Sequence, residues 1–506
     1  MKSNYDILLL SPPSRSFNHY RPPMALIFLA GYLKHYNLSC KIIDVNEKTT
    51  LHDEKFFNNI DKSRHLIEEE IINQIKQNKS NVYGITCYTP EYFEVLELAK
   101  KIKIINPKAI IIVGGIHPTL YPNELLKEKN TPIDFEVIGE GEETLFELLF
   151  AIKNKKRIYS KIKGIAYVSK SNHKIIKTPL RPLNENLDNI SFADYDQLDM
   201  EYYTNASPYA IRGCFLRSTY LLATRGCPST CTFCVAQKLR CYNGGGKYTR
   251  VRSAINLISE IKNLKNRYHI DSFYFIDDLF TINKENVKKF CQLLKNENLN
   301  LLWGCSSKVS TLNEDILKVM SESGCIQIDF GVERGSNQAL KIIKKGITTE
   351  MVSNIFSLCH KYHIRTFANF LVNLPEETKK DLNDIVKFSN KLKPDIVSIN
   401  VFTPYPGTEI YDQSKYRFSK KEYSELTYAP SLINEFPNKY KFSKHKIDIL
   451  PWANAQNKLL NKIIPNILFH LSYRYLKTIF LSHQKSNYLS QFSNLITEVY
   501  NQKFSK

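Results

Sequence analysis

The chain alternates short apolar runs with longer amphipathic stretches, and the period changes from one to the next. Tyr5–Leu10, apolar throughout Ile7–Leu10 and closed by Ser11-Pro12-Pro13, predicts a fully buried strand. Met24–Tyr36 carries apolar residues at helical spacing, and Cys40–Asp44 reads as a second strand. The same alternation continues through a helix at Leu66–Gln77, strand Val82–Thr86, helix Tyr92–Ile104, and strands Ala109–Val113 and Phe135–Ile138. A further helix starts at Glu143. Strands separated by helices predict a parallel, doubly wound sheet. Ligands bind such sheets at the carboxyl ends of the strands. The turns there are Ser11-Pro12-Pro13, Gly114-Gly115-Ile116-His117-Pro118 and Gly139-Glu140-Gly141-Glu142. Glycine at these turns lets a flat ligand approach the backbone closely.

Ile162–Val168 and His173–Ile176 pattern as a hairpin turned by Ser169–Asn172, and Pro179–Asp199 reads as an extended linker. The alternation then resumes. Six strands are predicted at Thr219–Thr224, Ser272–Ile276, Leu301–Cys305, Cys325–Val332, Arg365–Val372 and Ile396–Val401, with helices between them. Six is fewer than the eight of a closed barrel. Asp277, Asp278 and Glu333 fall at strand carboxyl ends, where barrel chemistry is placed. In the tail, Ile463–Leu481 spaces its apolar residues as a helix, and Arg474 and Lys477 interrupt it. It is expected either to pack over the barrel mouth or to lie as a basic amphipathic helix on a membrane. The boundaries drawn are 1–155, 156–212, 213–412 and 413–506.

Composition changes this picture little. Of 506 residues, 43% are hydrophobic and 12% aromatic, as in globular proteins. No apolar run reaches the length of a membrane span. The start of the chain lacks a signal-peptide pattern, and the 11 cysteines are expected as reduced thiols in a cytoplasm. Net charge is +20, and residues 413–506 supply half of it, with 15 Lys/Arg against 5 Asp/Glu. A solvated basic surface explains that excess without a specific nucleic-acid partner.

The chemistry lies in Arg225-Gly226-Cys227-Pro228-Ser229-Thr230-Cys231-Thr232-Phe233-Cys234. Three cysteines spaced C-x3-C-x2-C can converge on a soft metal centre. Thiolates of this kind hold iron–sulfur clusters. Zinc is the rival, although structural zinc sites usually pair two separated C-x2-C units. A four-iron cluster held by three thiolates leaves one iron open. Arg250 and Arg252 follow Gly244-Gly245-Gly246 and could meet a phosphate, a carboxylate or a surface acid. Cys241 is the remaining thiol worth testing for reactivity, while Cys305 and Cys325 read as core or wall residues.

This loop resembles the cluster-binding loop of radical S-adenosylmethionine (SAM) enzymes. Five further stretches occur in the order of one large subfamily. They are Phe275–Phe280, Phe330–Ser336, Lys345–Thr348, Pro375–Thr378 and Pro404–Thr408. Asn373 and Glu376 stand where that subfamily usually has glycines. The N-terminal third is similar to the cobalamin-binding domain that precedes the barrel there, on its Pro-Pro, Gly-Gly-x-His-Pro and Gly-Glu-Gly-Glu turns. The D-x-H-x-x-G motif that ligates cobalt from below is missing, as it commonly is in that subfamily.

The resemblance implies a cobalamin-binding Rossmann-like domain, a partial six-repeat (β/α) radical SAM barrel and a mainly helical C-terminal region. It implies a 4Fe-4S cluster on Cys227, Cys231 and Cys234, with SAM chelating the open iron. SAM would be lined by Phe233, Asp277, Asp278, Glu333 and Asn369, unless Glu333 pairs instead with Arg334 or a lysine. Cobalamin would lie on Ser11, Pro12, Gly114, Gly115, His117, Gly139, Glu140 and Gly141, with His117 packing near the corrin. The implied activity is methyl transfer to an unactivated carbon or phosphorus centre of a small-molecule or lipid-like substrate. Flavodoxin or ferredoxin would supply the electron. Alternatives are radical cyclisation, oxidation or rearrangement, methylthiolation, and a non-catalytic cobalamin-binding protein.

Overall fold

The computed structural model describes residues 4–13, 21–44, 60–155, 158–169, 172–206, 210–242, 244–375, 377–402, 405–413, 419–425 and 472–482. The chain forms two compact units. The first takes Met1–Met200, Val235–Tyr248 and Tyr405–Tyr428; the second takes Glu201–Cys234, Thr249–Pro404 and Ala429–Lys506.

The first unit is built on a seven-stranded sheet. Five strands, β1 (Ile7–Leu10), β2 (Cys40–Ile43), β3 (Val82–Thr86), β4 (Ile110–Gly114) and β5 (Phe135–Val137), run parallel in the order β2-β1-β3-β4-β5. Helices α1 (Met24–His35), α2 (Ile60–Gln77), α3 (Tyr92–Ile105), α4 (Ile116–Leu120) and α5 (Glu142–Lys153) connect them. All four side chains of β1 are buried. A parallel strand covered on both faces needs this unbroken apolar run. The hairpin expected in a connector instead extends this sheet. Strands β6 (Ile165–Val168) and β7 (Ile175–Lys177) add to β5 antiparallel, with Phe135 opposite Tyr167. Pairing satisfies the backbone of β5, which would otherwise be an open edge. The following linker is pinned along α1: Asp194 N–H donates to the Ile27 carbonyl at 2.9 Å and Lys34 pairs with Asp194 at 2.9 Å.

The second unit is an open barrel of six parallel strands. Strands β8 (Ser218–Leu221), β11 (Ser272–Phe275), β12 (Leu302–Ser307), β13 (Cys325–Glu333), β14 (Arg365–Val372) and β15 (Ile396–Val401) stand in chain order. The short ribbon β9 (Thr224–Arg225) and β10 (Arg250–Val251) lies apart from this sheet. Helices α6 (Ala254–Tyr268), α7 (Lys284–Asn296), α8 (Glu314–Glu322), α9 (Thr349–Lys361) and α10 (Lys379–Leu392) alternate with the strands. Each starts at a Ser, Asn or Thr whose side chain accepts a first-turn N–H: Ser253, Asn283, Asn313, Thr348 and Thr378. On β13, Ile326, Ile328, Phe330 and Val332 are buried, whereas Asp329 and Gly331 alternate with them and stay half-buried. Ser306 on β12, Asn369 on β14, and Ser398 and Asn400 on β15 are also half-buried. The alternation leaves a polar lumen inside the strands.

Of the expected tail helix, residues 463–471 lie outside the described residues. The described helix α11 (Tyr473–Leu481) is not over the barrel mouth. Tyr475 Oη accepts from Phe215 N–H at 3.1 Å, Arg474 donates to the Ser321 carbonyl at 3.0 Å, and Ser482 donates to Asp271 at 2.8 Å. Phe215 and Asp271 precede β8 and β11, so α11 closes the amino ends of the strands. The backbone groups there need partners, and Tyr475 is the side chain the helix buries to reach them. Among the described residues, no helix is long and apolar enough to cross a membrane.

Candidate functional site

The cysteine loop leaves the carboxyl end of β8 and is tied at both ends. The β9–β10 ribbon sets Arg225 opposite Arg250, closing the excursion. Gly226 turns the chain at φ 83°, a conformation suited to glycine. The Asp277 carboxylate, from the end of β11, accepts the Ala223 N–H at 2.8 Å and also the Thr224 N–H. Burial pushes the Asp277 carboxyl up to about 7 against the pull of those amides. Asp277 therefore braces the loop's entry, a different use from the ligand-lining role its position suggested. Asp278 beside it is exposed.

Within the loop, Cys231 is buried, and Cys227 and Cys234 are half-buried. A turn joins them, with Cys234 N–H donating to the Cys231 carbonyl at 3.1 Å, and Thr232 N–H reaches the Ile343 carbonyl at 3.1 Å. Two lysines that were not among the expected site residues reach this loop, Lys345 being the first residue of the Lys345–Thr348 stretch. Lys308, just past β12, donates to Ser229 Oγ at 3.1 Å. Lys345 lies 5.7 Å from the centre of the Phe233 ring and pairs with Glu333 at 2.8 Å. Burial pushes the Cys231 thiol up, and Lys345 and Lys308 pull it back. Burial likewise pulls the Lys308 ammonium down, opposed by Cys231 and Cys227. The donor set fits a three-thiolate iron–sulfur cluster: three uncrosslinked sulfurs on one loop, flanked by cations that offset thiolate charge. Among the described residues, no three His, Cys, Asp or Glu side chains close on a single ion. Thiolates of one cubane bind separate irons, so they need not.

Glu333 occupies a strained position. Its φ is 66°, and the β13–β14 register slips between Gly331 and Glu333. A Cβ at Gly331 would stand 2.6 Å from Lys345 Nζ, so the glycine makes room for the ion pair. The lysine alternative raised for Glu333 is thus the observed one. Arg334 goes elsewhere, to a buried pair with Glu377. Asn369 lies opposite Gly331 in the register, where Asn400 donates to its Oδ1 at 3.3 Å. Asn373 adopts φ 72°, held by its N–H to Glu377 at 3.0 Å and its Nδ2 to the Phe402 carbonyl at 3.0 Å. Asparagine tolerates that region, so it keeps a glycine-like turn. Glu376 and Pro404 lie outside the described residues. Arg252 is committed to Glu260 at 2.6 Å and to the Leu222 carbonyl at 2.9 Å. Cys241 is exposed, and Cys305 and Cys325 are core.

In the first unit, three turns meet at the carboxyl ends of the parallel strands. Ser11 is half-buried and Pro12 buried after β1. After β4, Gly115 has φ 109°, and a Cβ there would come within 3.0 Å of the Cys87 carbonyl. Gly139, after β5, has φ 87°, Glu140 is half-buried and Gly141 starts α5. Thr119, also missed, ties the turns together. Its hydroxyl donates to the Gly115 carbonyl at 2.7 Å and accepts the Gly139 N–H at 3.0 Å. The missing side chains at Gly114 and Gly141 leave room for Val137 and Leu29, and that at Gly115 for the Cys87 backbone, so the glycines let the turns pack tightly at this end of the sheet. The His117 side chain is a correction. It is fully buried, 3.2 Å from Thr89 Oγ1 and among the rings of Tyr92, Tyr121 and Tyr423. An imidazole enclosed by aromatic neighbours presents no face to a corrin.

Comparison with known proteins follows the same division. A model described as a B12 binding domain matches residues 14–149, and one described as the Radical SAM superfamily matches 221–389. An uncharacterized methyltransferase of Pyrococcus horikoshii is 32% identical over 412 residues, 80% of this chain and 82% of that protein. An anaerobic magnesium-protoporphyrin IX monomethyl ester cyclase of Rubrivivax gelatinosus is 28% identical, over 78% of this chain and 69% of its own. The solved radical SAM methyltransferase TsrM of Kitasatospora setae, with cobalamin and a [4Fe-4S] cluster bound, shares the fold. Its TM-score is 0.61 at 18% identity, over 80% of this chain and 74% of that one. The chain belongs to the cobalamin-binding radical SAM enzymes.

Proposed function

We propose that this enzyme transfers a methyl group to a carbon or phosphorus centre of a polar small molecule. The observation that carries the reading is the methyltransferase relative, which is aligned over 80% of this chain. Neither unit alone could supply that coverage. When bound, the cluster and SAM supply a carbon-centred radical, and cobalamin supplies a methyl carrier. The residues have these parts. Cys227, Cys231 and Cys234 hold the cluster. Phe233 and Asn369 line SAM, the Glu333–Lys345 ion pair stands beside Phe233, and Asp277 holds the loop that carries the cysteines. The turns at Ser11–Pro12, Gly114–Gly115 and Gly139–Gly141 carry the corrin, without an axial histidine from His117.

The lumen residues Ser306, Asp329, Asn369, Ser398 and Asn400 support a hydrogen-bonding substrate over a lipid-like one. Tyr274 bonds Ser306 at 2.9 Å and Gln327 donates to Asp329 at 2.7 Å, so the inner wall is wired as donors and acceptors. Flavodoxin or ferredoxin is the electron source in this reading. A second reading, radical cyclisation, is favoured by the cyclase relative. A methylthiotransferase would bring further cluster thiols ahead of the barrel. Here Cys40 and Cys87 are buried in the first unit.

The test is anaerobic turnover of the reconstituted enzyme with methyl-deuterated SAM, a flavodoxin reducing system and a fractionated small-molecule extract. Deoxyadenosine together with a deuteromethylated product is expected. Deoxyadenosine with an unlabelled product moves the assignment to cyclisation or oxidation, and no deoxyadenosine at all overturns both.

A further inference from the structure

The two lysines beside the cysteine loop carry an inference about the cluster's electrochemistry, which rests on the assignment of Cys227, Cys231 and Cys234 as its ligands. Lys308 is half-buried and reaches Ser229 inside the loop at 3.1 Å. Among the described residues, no carboxylate lies within ion-pair distance of it. Lys345 is nearly enclosed, with its side chain 12% exposed, and shares the single carboxylate of Glu333. Lys308 Nζ also lies against the backbone of the residue after Lys345, since a Cβ on Gly346 would stand 3.4 Å from it. A half-buried ammonium without a carboxylate of its own is unfavourable unless an anion sits beside it. Both lysines reach the cysteine loop itself, Lys308 at Ser229 and Lys345 at the Phe233 ring, 5.7 Å from its centre.

We propose that Lys308 and Lys345 are positioning residues for charge. They neutralise part of the negative charge of the three-thiolate cluster and raise its reduction potential, before SAM arrives. Adding an electron makes the cluster more negative, so fixed cations favour the reduced form. Lys308, with no carboxylate of its own, supplies more of this than Lys345, whose charge Glu333 already offsets.

The experiment is a mediated redox titration of the reconstituted holoenzyme without SAM, followed by electron paramagnetic resonance, on wild type, Lys308→Gln, Lys308→Arg and Lys345→Gln. Iron per chain is measured on each. Lys308→Gln is expected to lower the reduced-to-oxidised ratio at fixed potential about tenfold, or about 59 mV for one electron. Lys345→Gln is expected to shift it less, and Lys308→Arg to stay near wild type. An unchanged potential in Lys308→Gln with weakened SAM binding overturns the proposal and gives the lysine to the carboxylate of SAM. If Lys308→Gln loses its iron, Lys308→Arg decides. Iron and potential kept by arginine support the charge role, and iron lost there too overturns it. A wild type that assembles no cluster would instead refute the ligand assignment.

Discussion

Glu333 and Lys345 form an ion pair at the carboxyl end of β13, and its parts are separable by single substitutions. The carboxylate is aimed by a left-handed residue at φ 66°, and Gly331 leaves the space for it. Glu333→Gln removes the only carboxylate paired with Lys345 in the described residues and leaves a nearly buried ammonium beside the cluster loop. Breaking one partner of a buried pair is costly, and about 2 kcal/mol of unfolding free energy is expected to be lost, read by urea denaturation. Gly331→Ala, which adds no charge, should displace the same pair and weaken SAM binding in parallel. If Gly331→Ala binds SAM like wild type, the geometry of the pair is not what matters. A second residue prediction concerns Glu136, fully buried on β5, which accepts the Asn123 N–H at 2.5 Å. Burial pushes its carboxyl up to about 7. Between the ordinary carboxylate range and that value, the folded chain keeps a proton that the unfolded chain has released. Stability therefore falls as pH rises through this window, by up to about 1.4 kcal/mol per pH unit for this one group. Glu136→Gln should flatten that part of the melting-temperature profile between about pH 5 and pH 7. An unchanged slope would show that Glu136 is not its source.

Among the elements, α11 shows what local pattern conceals. Its amphipathic spacing is plain in the chain, yet spacing says only that one face is buried, not against what. Tyr475 settles it by bonding both the N–H and the carbonyl of Phe215, at 3.1 and 3.4 Å. Those contacts link positions 260 residues apart, beyond any local signal. Tyr475→Phe should cost about 1–2 kcal/mol, seen as a lower melting temperature with iron content unchanged. Loss of iron in that variant would argue that α11 reaches the carboxyl ends of the strands after all. The β6–β7 hairpin is a similar case: its strands and turn are legible, but its antiparallel addition to β5 is a tertiary choice. Conversely, the helices between the barrel strands are legible as elements. Ser253, Asn313 and Thr348 cap where the hydrophobic period begins, because capping and amphipathicity are both short-range.

Across the whole molecule, the order of chemistry along the chain is readable because each site is built mainly from contiguous residues. Cys227 to Cys234 are one loop, and Gly114–Gly115 and Gly139–Gly141 are single turns whose glycines are required by φ values of 109° and 87° at Gly115 and Gly139. The residues whose part in the site was not readable, Lys308, Lys345 and Thr119, act through partners 79, 12 and 20 positions away. His117 was expected to pack near the corrin for a related reason, since nothing local to a glycine turn shows that Tyr423 and Tyr92 stand round its ring. This division makes a prediction about the holoenzyme. The thiols belong to one compact unit and the glycine turns to the other. Substituting alanine for Cys227, Cys231 and Cys234 together removes every cluster ligand but leaves the Thr119 hydroxyl holding the Gly115 and Gly139 turns. Such a variant should lose its iron, about four atoms per chain, and still take up about one cobalamin. Gly115→Val should do the reverse, because a side chain there is strained at φ 109° and meets the Cys87 backbone at 3.0 Å. Metal analysis and the visible spectrum of bound cobalamin report both numbers. If cobalamin disappears with the iron in the triple variant, the glycine cradle does not bind on its own. Its affinity would then have to come from the loaded cluster loop, and the assignment of Gly114, Gly115 and Gly139 would need to be rebuilt around that dependence.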